Sequence, residues 1–291
     1  MKKFILIIFT VTVMVWFFVL IPDSKDLETI FLDVGQGDAI LVKTPKNQTM
    51  VVDGGPNSKV LEKLGKYLSP LKKRVDIVVL THPHADHVTG LIEVLKRYDV
   101  GLLILGGADL KTDVYNEFIK TALDKKIPVL IAERGQAIHF GDSLEFDILS
   151  PLGANQGIFN KKSEGFGTSG NEVNDASIVG KLIFKDFSIM LTGDATAKIE
   201  NQLLVYGGGL RADILKVGHH GSKYSSSSSF LNVVSPKAAI IEVGAKNRYG
   251  HPSPAALSRI KMFDMDIFRT DQNGDIKILT DGFTTNIFTE K

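Results

Sequence analysis

Residues 78–90 read Val-Val-Leu-Thr-His-Pro-His-Ala-Asp-His-Val-Thr-Gly, an apolar run followed by three histidines and one aspartate within six positions. His82 and His84 are two positions apart, so in an extended segment their side chains point to the same side. Asp86 and His87 follow where we expect the chain to turn into a helix, and neighbouring side chains there diverge enough to face two metals. Imidazole and carboxylate groups bind Zn, Mn and Fe. The stretch therefore predicts a metal site rather than a set of surface histidines.

The composition excludes some kinds of protein and some kinds of chemistry. The chain has 291 residues, 44% of them apolar, a net charge of +1 and no cysteine. This length suits one large domain or two small ones. The small net charge argues against a strongly basic nucleic-acid-binding protein, so any contact with a polyanion must come from a local patch. Without cysteine, the chain has no disulfides, thiolate metal ligands or thiol nucleophiles.

The first 23 residues differ in composition from the rest of the chain. Met1-Lys2-Lys3 precedes an uncharged apolar run of 18 residues, Phe4 to Ile21, and a helix of that length spans about 27 Å, enough to cross a hydrocarbon core. No small-x-small cleavage site follows, which favours an uncleaved signal-anchor. With its lysines on the cytoplasmic side, residues 1–23 are predicted to be a single-pass anchor in the cell membrane. Residues 24–291 would then be extracellular, and secreted if the segment is cleaved.

The rest of the chain alternates short apolar strands with helical segments, which predicts a layered α/β domain. Aspartates follow two of the predicted strands, Asp53 after residues 50–52 and Asp194 after residues 187–191. Residues 269–279 predict a turn that leads into a final edge hairpin. A carboxylate at the end of an apolar strand is where a metal ligand or a supporting group would lie.

Another predicted strand begins at Asp213 and ends in His219 and His220. Because side chains alternate along a strand, one ring should face the metals and the other should point away or toward the substrate. We favour His219 slightly as the ligand and leave the choice open. Residues 247–251 read Asn-Arg-Tyr-Gly-His, and these side chains are suited to contact a phosphate or an oxyanion.

Several short motifs stand in a definite order along the chain. They are Phe31–Ala39, Asp53–Gly55, the histidine stretch 78–90, Asn174–Ser177, Thr192–Asp194, Leu215–Ser222, Tyr249–Pro252 and Arg269–Asp271. Together they resemble the metallo-β-lactamase (MBL) domain of the ComEC/Rec2 competence proteins and of their stand-alone relatives, over nearly all of residues 27–283. The resemblance implies that residues 24–291 are a hydrolase domain with an α/β fold, a four-layer αβ/βα sandwich. Its metals would lie at one edge, between the two sheets.

The resemblance also implies a role for each candidate residue. The cofactors would be one or two divalent metal ions, Zn or Mn. Many hydrolases of this fold have a further histidine in the region where this chain has Asp175, so Asp175 is the candidate substitute. The implied metal ligands are His82, His84, Asp86, His87, Asp194 as the bridge, His219, His220 and Asp175. Asp86 would orient the attacking water, His251 is a second catalytic candidate, and Asp53 and Asp33 would support the ligands. The candidate substrate contacts are Asn174, Ser177, Ser222, Asn247, Arg248 and Tyr249.

The leading functional prediction is a membrane-tethered phosphodiesterase, a nuclease related to DNA uptake. Lys216, Lys223, Lys246 and Arg248 near the predicted site favour a DNA partner. One alternative is a cell-wall phosphoesterase of the choline-phosphate esterase type. The other is a non-catalytic competence accessory that binds DNA. A β-lactamase is less favoured because the usual third histidine is missing. The chain offers no multi-helix channel, so we expect a catalytic domain rather than a translocation pore.

Overall fold

The computed structural model describes residues 25–141, 143–151 and 170–291. The predicted membrane anchor, residues 1–23, lies outside these ranges. Among the residues that are described, no helix has both the length and the apolar character required to span a bilayer. The described strands form two sheets, one of eight strands and one of seven.

The first sheet combines the amino-terminal strands with the last two strands of the chain. Its strands are β1 (Leu27–Phe31), β2 (Ile40–Lys43), β3 (Thr49–Val52), β4 (Arg74–Leu80), β5 (Asp99–Leu105), β6 (Val129–Ile131), β14 (Ile276–Thr280) and β15 (Thr285–Thr289). Their spatial order is β15-β14-β1-β2-β3-β4-β5-β6. The pairs from β3 to β6 are parallel and the remaining pairs are antiparallel.

The second sheet contains the strands between these two groups. They are β7 (Ala137–Phe140), β8 (Leu144–Ser150), β9 (Val179–Phe184), β10 (Phe187–Leu191), β11 (Ile214–Lys216), β12 (Ala238–Ile241) and β13 (Asp266–Arg269). Their spatial order is β13-β12-β11-β10-β9-β8-β7. The pairs from β10 to β13 are parallel, and the pairs from β7 to β10 are antiparallel.

Helices connect strands in the described part of the chain. They are α1 (Lys59–Tyr67), α2 (Ala85–Arg97), α3 (Asp113–Asp124), α4 (Gly170–Asp175), α5 (Ala197–Leu203), α6 (Ser228–Val234), α7 (Pro254–Lys261) and α8 (Thr270–Asn273). Helices α1, α2 and α3 share one apolar core with the first sheet, and α5, α6 and α7 share another with the second sheet. Helix α2 shows the reason, because Leu91 and Leu95, four positions apart, are both fully buried.

A third apolar core lies between the two sheets and includes Phe31, Phe146 and Phe184. Strand β8 shows how the sequence produces it, since its residues alternate between buried and half-buried. Two sheets face to face, each with helices outside, make the αβ/βα sandwich that the sequence predicts. The predicted final edge hairpin is confirmed, because β14 pairs with β15, which is the edge strand of the first sheet. Strand β14 also pairs with β1, a long-range pairing that local sequence does not reveal.

Candidate metal centre

Loops that follow three strands meet at one end of the cleft between the sheets. Strand β4 leads into residues 81–87, β10 into residues 192–194, and β11 into residues 217–222. Strands β10 and β11 are parallel neighbours in the second sheet, whereas β4 belongs to the first. The site is therefore built by both sheets. The predicted ligands that it brings together are His82, His84, Asp86, His87, Asp194, His219 and His220.

His82 and His84 lie side by side, with Nε2 of His82 3.0 Å from Nδ1 of His84. The backbone at His84 is extended, with φ −68° and ψ 149°, and α2 begins at the next residue. The rings therefore share one side, as their two-residue spacing suggests. The start of the helix then brings His87, which is fully buried, beside His82, with the two ring centroids 4.1 Å apart.

Asp194 lies at the centre of the cluster. Its Oδ2 atom is 3.7 Å from Nε2 of His82, 3.4 Å from Nε2 of His87 and 3.6 Å from Nε2 of His220. Its backbone N–H donates to Oγ of Ser177 at 3.2 Å, which holds the turn after β10 in place. With His219, whose Nε2 is also 3.7 Å from Oδ2 of Asp194, four imidazoles surround this carboxylate, an arrangement that suits a shared metal ligand.

His219 and His220 do not lie in a strand, contrary to our expectation. Strand β11 ends before both of them, and their φ angles of 48° and 52° are left-handed, which is uncommon outside glycine. Nε2 of the buried His220 is 3.4 Å from Oδ2 of Asp86, and its Nδ1 is 2.9 Å from the carbonyl of Glu242. His219 is half-buried, with Nε2 3.7 Å from Oδ2 of Asp194. The turn, rather than strand alternation, separates the two rings and places His220 deeper in the cluster.

Asp53 lies directly behind His87. Its Oδ2 is 2.8 Å from Nδ1 of His87, and the same carboxylate accepts hydrogen bonds from the backbone N–H of Thr81 at 2.8 Å and its hydroxyl at 2.7 Å. This contact at Nδ1 leaves Nε2 of His87, which faces Asp194, as the nitrogen that can bind a metal. Asp53 thus occupies the supporting position that the sequence pattern suggests.

A second supporting group, which our sequence analysis missed, lies behind His220. Oδ1 of Asp38 is 3.2 Å from Nδ1 of His220, and its other oxygen is paired with the ammonium of Lys216. Asp38 and Lys216 are each only 1% exposed. A signal was present in the sequence, because Asp38 directly precedes the apolar run of β2 and Lys216 interrupts the apolar run of β11. A charged residue at a buried strand position requires a partner.

Charged neighbours set the protonation states of the buried groups. Burial lowers the pKa values of His87 and His220, but neighbouring carboxylates outweigh it, raising the pKa of His87 well above its usual value and that of His220 to about 10. A metal ion that binds these rings would therefore displace a proton from each. Burial raises the pKa of Asp194, but the charges of His220 and His87 outweigh it and hold that pKa well below its usual value. Burial, assisted by His87, lowers the pKa of His82 well below its usual value, so its ring is neutral at neutral pH. Burial also lowers the pKa of Lys216, but neighbouring carboxylates outweigh it and raise that pKa, so the ammonium stays charged.

Several ligand-type atoms have no hydrogen-bond partner among the residues that the structure describes. They include the buried Nε2 atoms of His87 and His220 and Oδ1 of Asp194, and buried polar atoms normally have partners. Among the described residues, four groups each place three ligand atoms within 4.8 Å of one another, and two of them consist of predicted ligands alone: His82, His87 and Asp194, and Asp86, His87 and His220. Nitrogen and carboxylate donors in this arrangement fit one or two divalent metal ions.

A cavity of about 370 Å³ opens beside the cluster. On one side, Tyr249 stacks on His251, with ring centroids 6.0 Å apart and an interplanar angle of 18°. The ring of His251 is in turn 5.5 Å from that of His219, and the exposed guanidinium of Arg248 lies 5.3 Å from the ring centre of Tyr249. The cavity is lined by Gln36, His84, Ala85, Asp86, Asn174, Asp194, His219, His220, Tyr249 and His251.

Two predicted acidic residues are not brought into the cluster. Asp175 ends α4, where its carboxylate accepts a hydrogen bond from Thr196 and pairs with Lys198 at 3.0 Å. Asp33 pairs with Lys59 at 3.5 Å. Each carboxylate pairs with a lysine, and, among the described residues, neither belongs to a group of ligand atoms in the cluster. The structure therefore does not place Asp175 as a metal ligand, and it places Asp38, rather than Asp33, behind the cluster.

The predicted substrate contacts divide into two groups. Asn174 and Tyr249 line the cavity. Ser177 and Ser222 are buried, and each accepts a hydrogen bond from a backbone N–H. Asn247 holds its own loop together through hydrogen bonds to backbone groups. The polar groups of Ser177, Ser222 and Asn247 are therefore used within the protein, and these residues support the walls of the site.

The chain is similar in sequence to several curated proteins. ComE operon protein 3 of Bacillus subtilis is 29% identical over 283 residues, which cover 91% of this chain and 34% of that protein. Competence protein ComA of Neisseria gonorrhoeae is 29% identical over 259 residues, 88% of this chain and 33% of that protein. This chain therefore spans about a third of the length of the curated relatives that it matches.

The comparison with solved structures concerns the fold. The crystal structure of CmlA, a diiron beta-hydroxylase from Streptomyces venezuelae, aligns with a TM-score of 0.50 at 14% identity, covering 84% of this chain and 53% of that one. At that identity the likeness shows a shared fold alone. The sequence profile of the Metallo-beta-lactamase superfamily matches residues 32–244, which include each predicted ligand. The chain belongs to the metallo-beta-lactamase superfamily.

Proposed function

We propose that this protein is a divalent-metal-dependent hydrolase of phosphodiester bonds, with DNA as its substrate. The observation that carries the proposal is a cavity, open to solvent, beside ligand atoms of His87, His220 and Asp194 that have no hydrogen-bond partner among the described residues. The ligand atoms fit a metal ion, and the cavity gives water or substrate access to it. A structural metal site has its coordination positions filled by protein, whereas a catalytic one keeps a position open. Membership of a superfamily of metal-dependent hydrolases supports the same reading.

The residues around the cavity form two sets of candidate metal ligands. One ion would be held by His82, His84 and Asp194, and a second by Asp86, His87 and His220, with Asp194 between them. Bound divalent ions supply Lewis acidity, which lowers the pKa of water and stabilises negative charge on a phosphoryl oxygen. Zn and Mn both suit this set of nitrogen and oxygen donors.

Other side chains would orient the reacting groups. Asp86 is half-buried at the cavity wall, so it can accept a hydrogen bond from the attacking water and direct its lone pair at the phosphorus. His251 lies on the Tyr249 side of the cavity. Burial, together with the charges of His219 and His220, lowers the pKa of His251 to about 4. A neutral ring there can donate a hydrogen bond to the substrate.

The choice of a phosphodiester rests on the mouth of the cavity and on the relatives. Arg248 is exposed, and its Nη2 is 3.2 Å from the hydroxyl of Tyr249, so a fixed cation is available for a phosphate. Lys223 and Lys246 are exposed on the neighbouring loops. Lys216, which we expected to contact DNA, is instead buried in its pair with Asp38. Similarity to a relative that is named as a competence protein directs the proposal to DNA.

The apolar segment at the start of the chain bears on where the protein is located. We infer that residues 1–23 tether the domain to the membrane, with the catalytic domain outside the cell. The support is the uncharged run from Phe4 to Ile21 behind two lysines. Protease treatment of intact cells that carry a tagged chain should remove the domain, whereas protection from the protease would contradict an external location.

The alternative substrates are less well supported by the cavity. A choline-phosphate esterase needs aromatic rings around a quaternary ammonium. Among the described residues that line the cavity, Tyr249 is the only aromatic ring apart from the histidines. A DNA-binding accessory without catalysis does not require a cavity beside its metal ligands, so the cavity next to the cluster favours an enzyme.

The test begins with the metal content of the purified protein and continues with cleavage of single-stranded and duplex DNA in Mn or Zn. We expect metal-dependent cleavage that is lost in His84→Ala and Asp86→Ala. Asp175→Ala is the matched control, because its carboxylate pairs with Lys198 outside the cluster, and it should retain cleavage. Bound metal without cleavage of DNA would contradict the nuclease proposal and favour cell-wall phosphodiesters as substrates. Absence of bound metal would favour the hypothesis of a non-catalytic accessory.

A further inference from the structure

Gln36 lies in the loop between β1 and β2 and lines the cavity, and no role has yet been assigned to it. It shares the cavity wall with Asp86, His220, Tyr249 and His251. Its side-chain nitrogen Nε2 is buried and has no hydrogen-bond partner among the described residues. A buried donor without an acceptor is unfavourable, so a ligand that supplies an acceptor would satisfy it.

The orientation of the Gln36 amide follows from chemistry. The backbone N–H of Gly244 donates to Oε1 of Gln36 at 3.1 Å. A peptide N–H can only donate, so the atom that faces it must be the amide oxygen. The unpaired atom is therefore the nitrogen, which carries two N–H groups and can only donate.

The position of Gln36 is determined by close backbone contacts on both sides. A Cβ atom at Gly37 would lie 2.1 Å from the carbonyl oxygen of Asp86, and one at Gly244 would lie 2.6 Å from the backbone nitrogen of Gln36. Gly37 also has a φ of +134°. The absence of side chains at these glycines lets the loop pack between the start of α2 and the segment after β12. Gln36 is thus held in a definite place relative to the ligand Asp86.

We propose that Gln36 contacts the substrate, with Nε2 donating a hydrogen bond to a non-bridging oxygen of the phosphodiester. The inference rests on the proposed function and extends it by assigning an oxyanion donor. A non-bridging oxygen carries negative charge and can only accept a hydrogen bond. The ligand atoms of the cluster would be occupied by metal, whereas Nε2 of Gln36 is a donor. A donor fixed before the reaction stabilises the charge that develops there without reorganisation.

Two substitutions separate the donor from the loop contact. Gln36→Glu replaces Nε2 by oxygen and keeps an acceptor for Gly244, so the loop is retained while the donor is lost. Gln36→Met removes both hydrogen bonds without adding charge. With bis(p-nitrophenyl) phosphate as substrate, we expect kcat to fall by about 100-fold to 1,000-fold in both variants, as for loss of one oxyanion donor. Bound metal per chain should be unchanged in Gln36→Met, so the loss of kcat in that variant does not come from loss of metal.

A second measurement does not depend on turnover. Calorimetric titration of the metal-loaded chain with inorganic phosphate should give a Kd that is raised at least tenfold in both variants. Wild-type kcat and phosphate Kd in Gln36→Met would overturn the inference while leaving the hydrolase intact. Phosphate binding that depends on Gln36, in a wild-type protein that cleaves no diester, would uphold the inference and contradict the proposed function. A wild-type protein that binds no phosphate would overturn the inference.

Discussion

Nδ1 of His87 lies 2.8 Å from Oδ2 of Asp53, and neither side chain is exposed to solvent. Asp53 has a φ of +57°, a conformation that asparagine also tolerates. Asp53→Asn therefore keeps the backbone and removes the negative charge behind the histidine. We expect the affinity for metal to fall by about 10-fold to 100-fold, as for other groups that orient a ligand. Competition with a chelating dye would measure it, and an unchanged affinity would show that Asp53 only stabilises the loop.

The two adjacent histidines should differ when each is replaced. His220→Ala removes a buried ring whose Nε2 faces both Asp86 and Asp194, so bound metal per chain should fall. His219→Ala removes a half-buried ring at the cavity wall and should retain more metal. Elemental analysis after dialysis against a metal buffer measures both. A larger loss in His219→Ala would reverse the assignment made from burial.

Breaking the buried ion pair between Lys216 and Asp38 should lower the free energy of unfolding. Lys216→Met leaves the carboxylate of Asp38 buried without its cation, which costs about 3–5 kcal/mol for a broken buried pair. Urea unfolding measures the free energy, and the double variant with Asp38→Asn should lose less than the sum of the two single changes. Lys96→Met, which breaks only surface pairs with Glu93 and Glu117, should change stability little. Equal effects at the two lysines would contradict the prediction.

Asp147 should make stability depend on pH. Burial, together with the neighbouring Glu145, raises the pKa of Asp147 to about 6, with Lys181 and His139 opposing the shift. In the unfolded chain the value is about 4, so between pH 4 and 6 the folded state binds more protons and its stability falls as pH rises. Asp147→Asn should remove this loss. The Tm difference, variant minus wild type, should increase from pH 4 to pH 7, and a decrease would contradict the sign.

Gly37 should tolerate no side chain. Gly37→Ala places a Cβ 2.1 Å from the carbonyl oxygen of Asp86, so the start of α2 or the loop must move. We expect both bound metal and Tm to fall. Gly65→Ala is the control, because α1 leaves open space there, and alanine favours a helix by up to about 1 kcal/mol. A normal metal content in Gly37→Ala would show that the two segments can shift without disturbing the ligands.

Much of the fold and of the site follows from patterns within short segments. The alternation of apolar and polar residues along β8 and the helical spacing of Leu91 and Leu95 can be read directly, because each depends on neighbours along the chain. The ligand types at His82, His84 and Asp86 can be read for the same reason. The pairing of β14 with β1 could not, because it joins the two ends of the described chain.

The sequence by itself determined that the chain is a layered α/β domain and that its histidine stretch is suited to hold metal, because residue type and spacing are local properties. The MBL fold itself was implied by the resemblance of the ordered motifs to a known family. Only the tertiary structure decided that His220 lies deeper than His219, since a left-handed turn replaces the expected strand there. It also decided that Asp38 pairs with Lys216 and that Asp175 turns to Lys198. Those contacts depend on which segments the packing of two sheets brings together, and a buried charge takes whichever partner lies within reach.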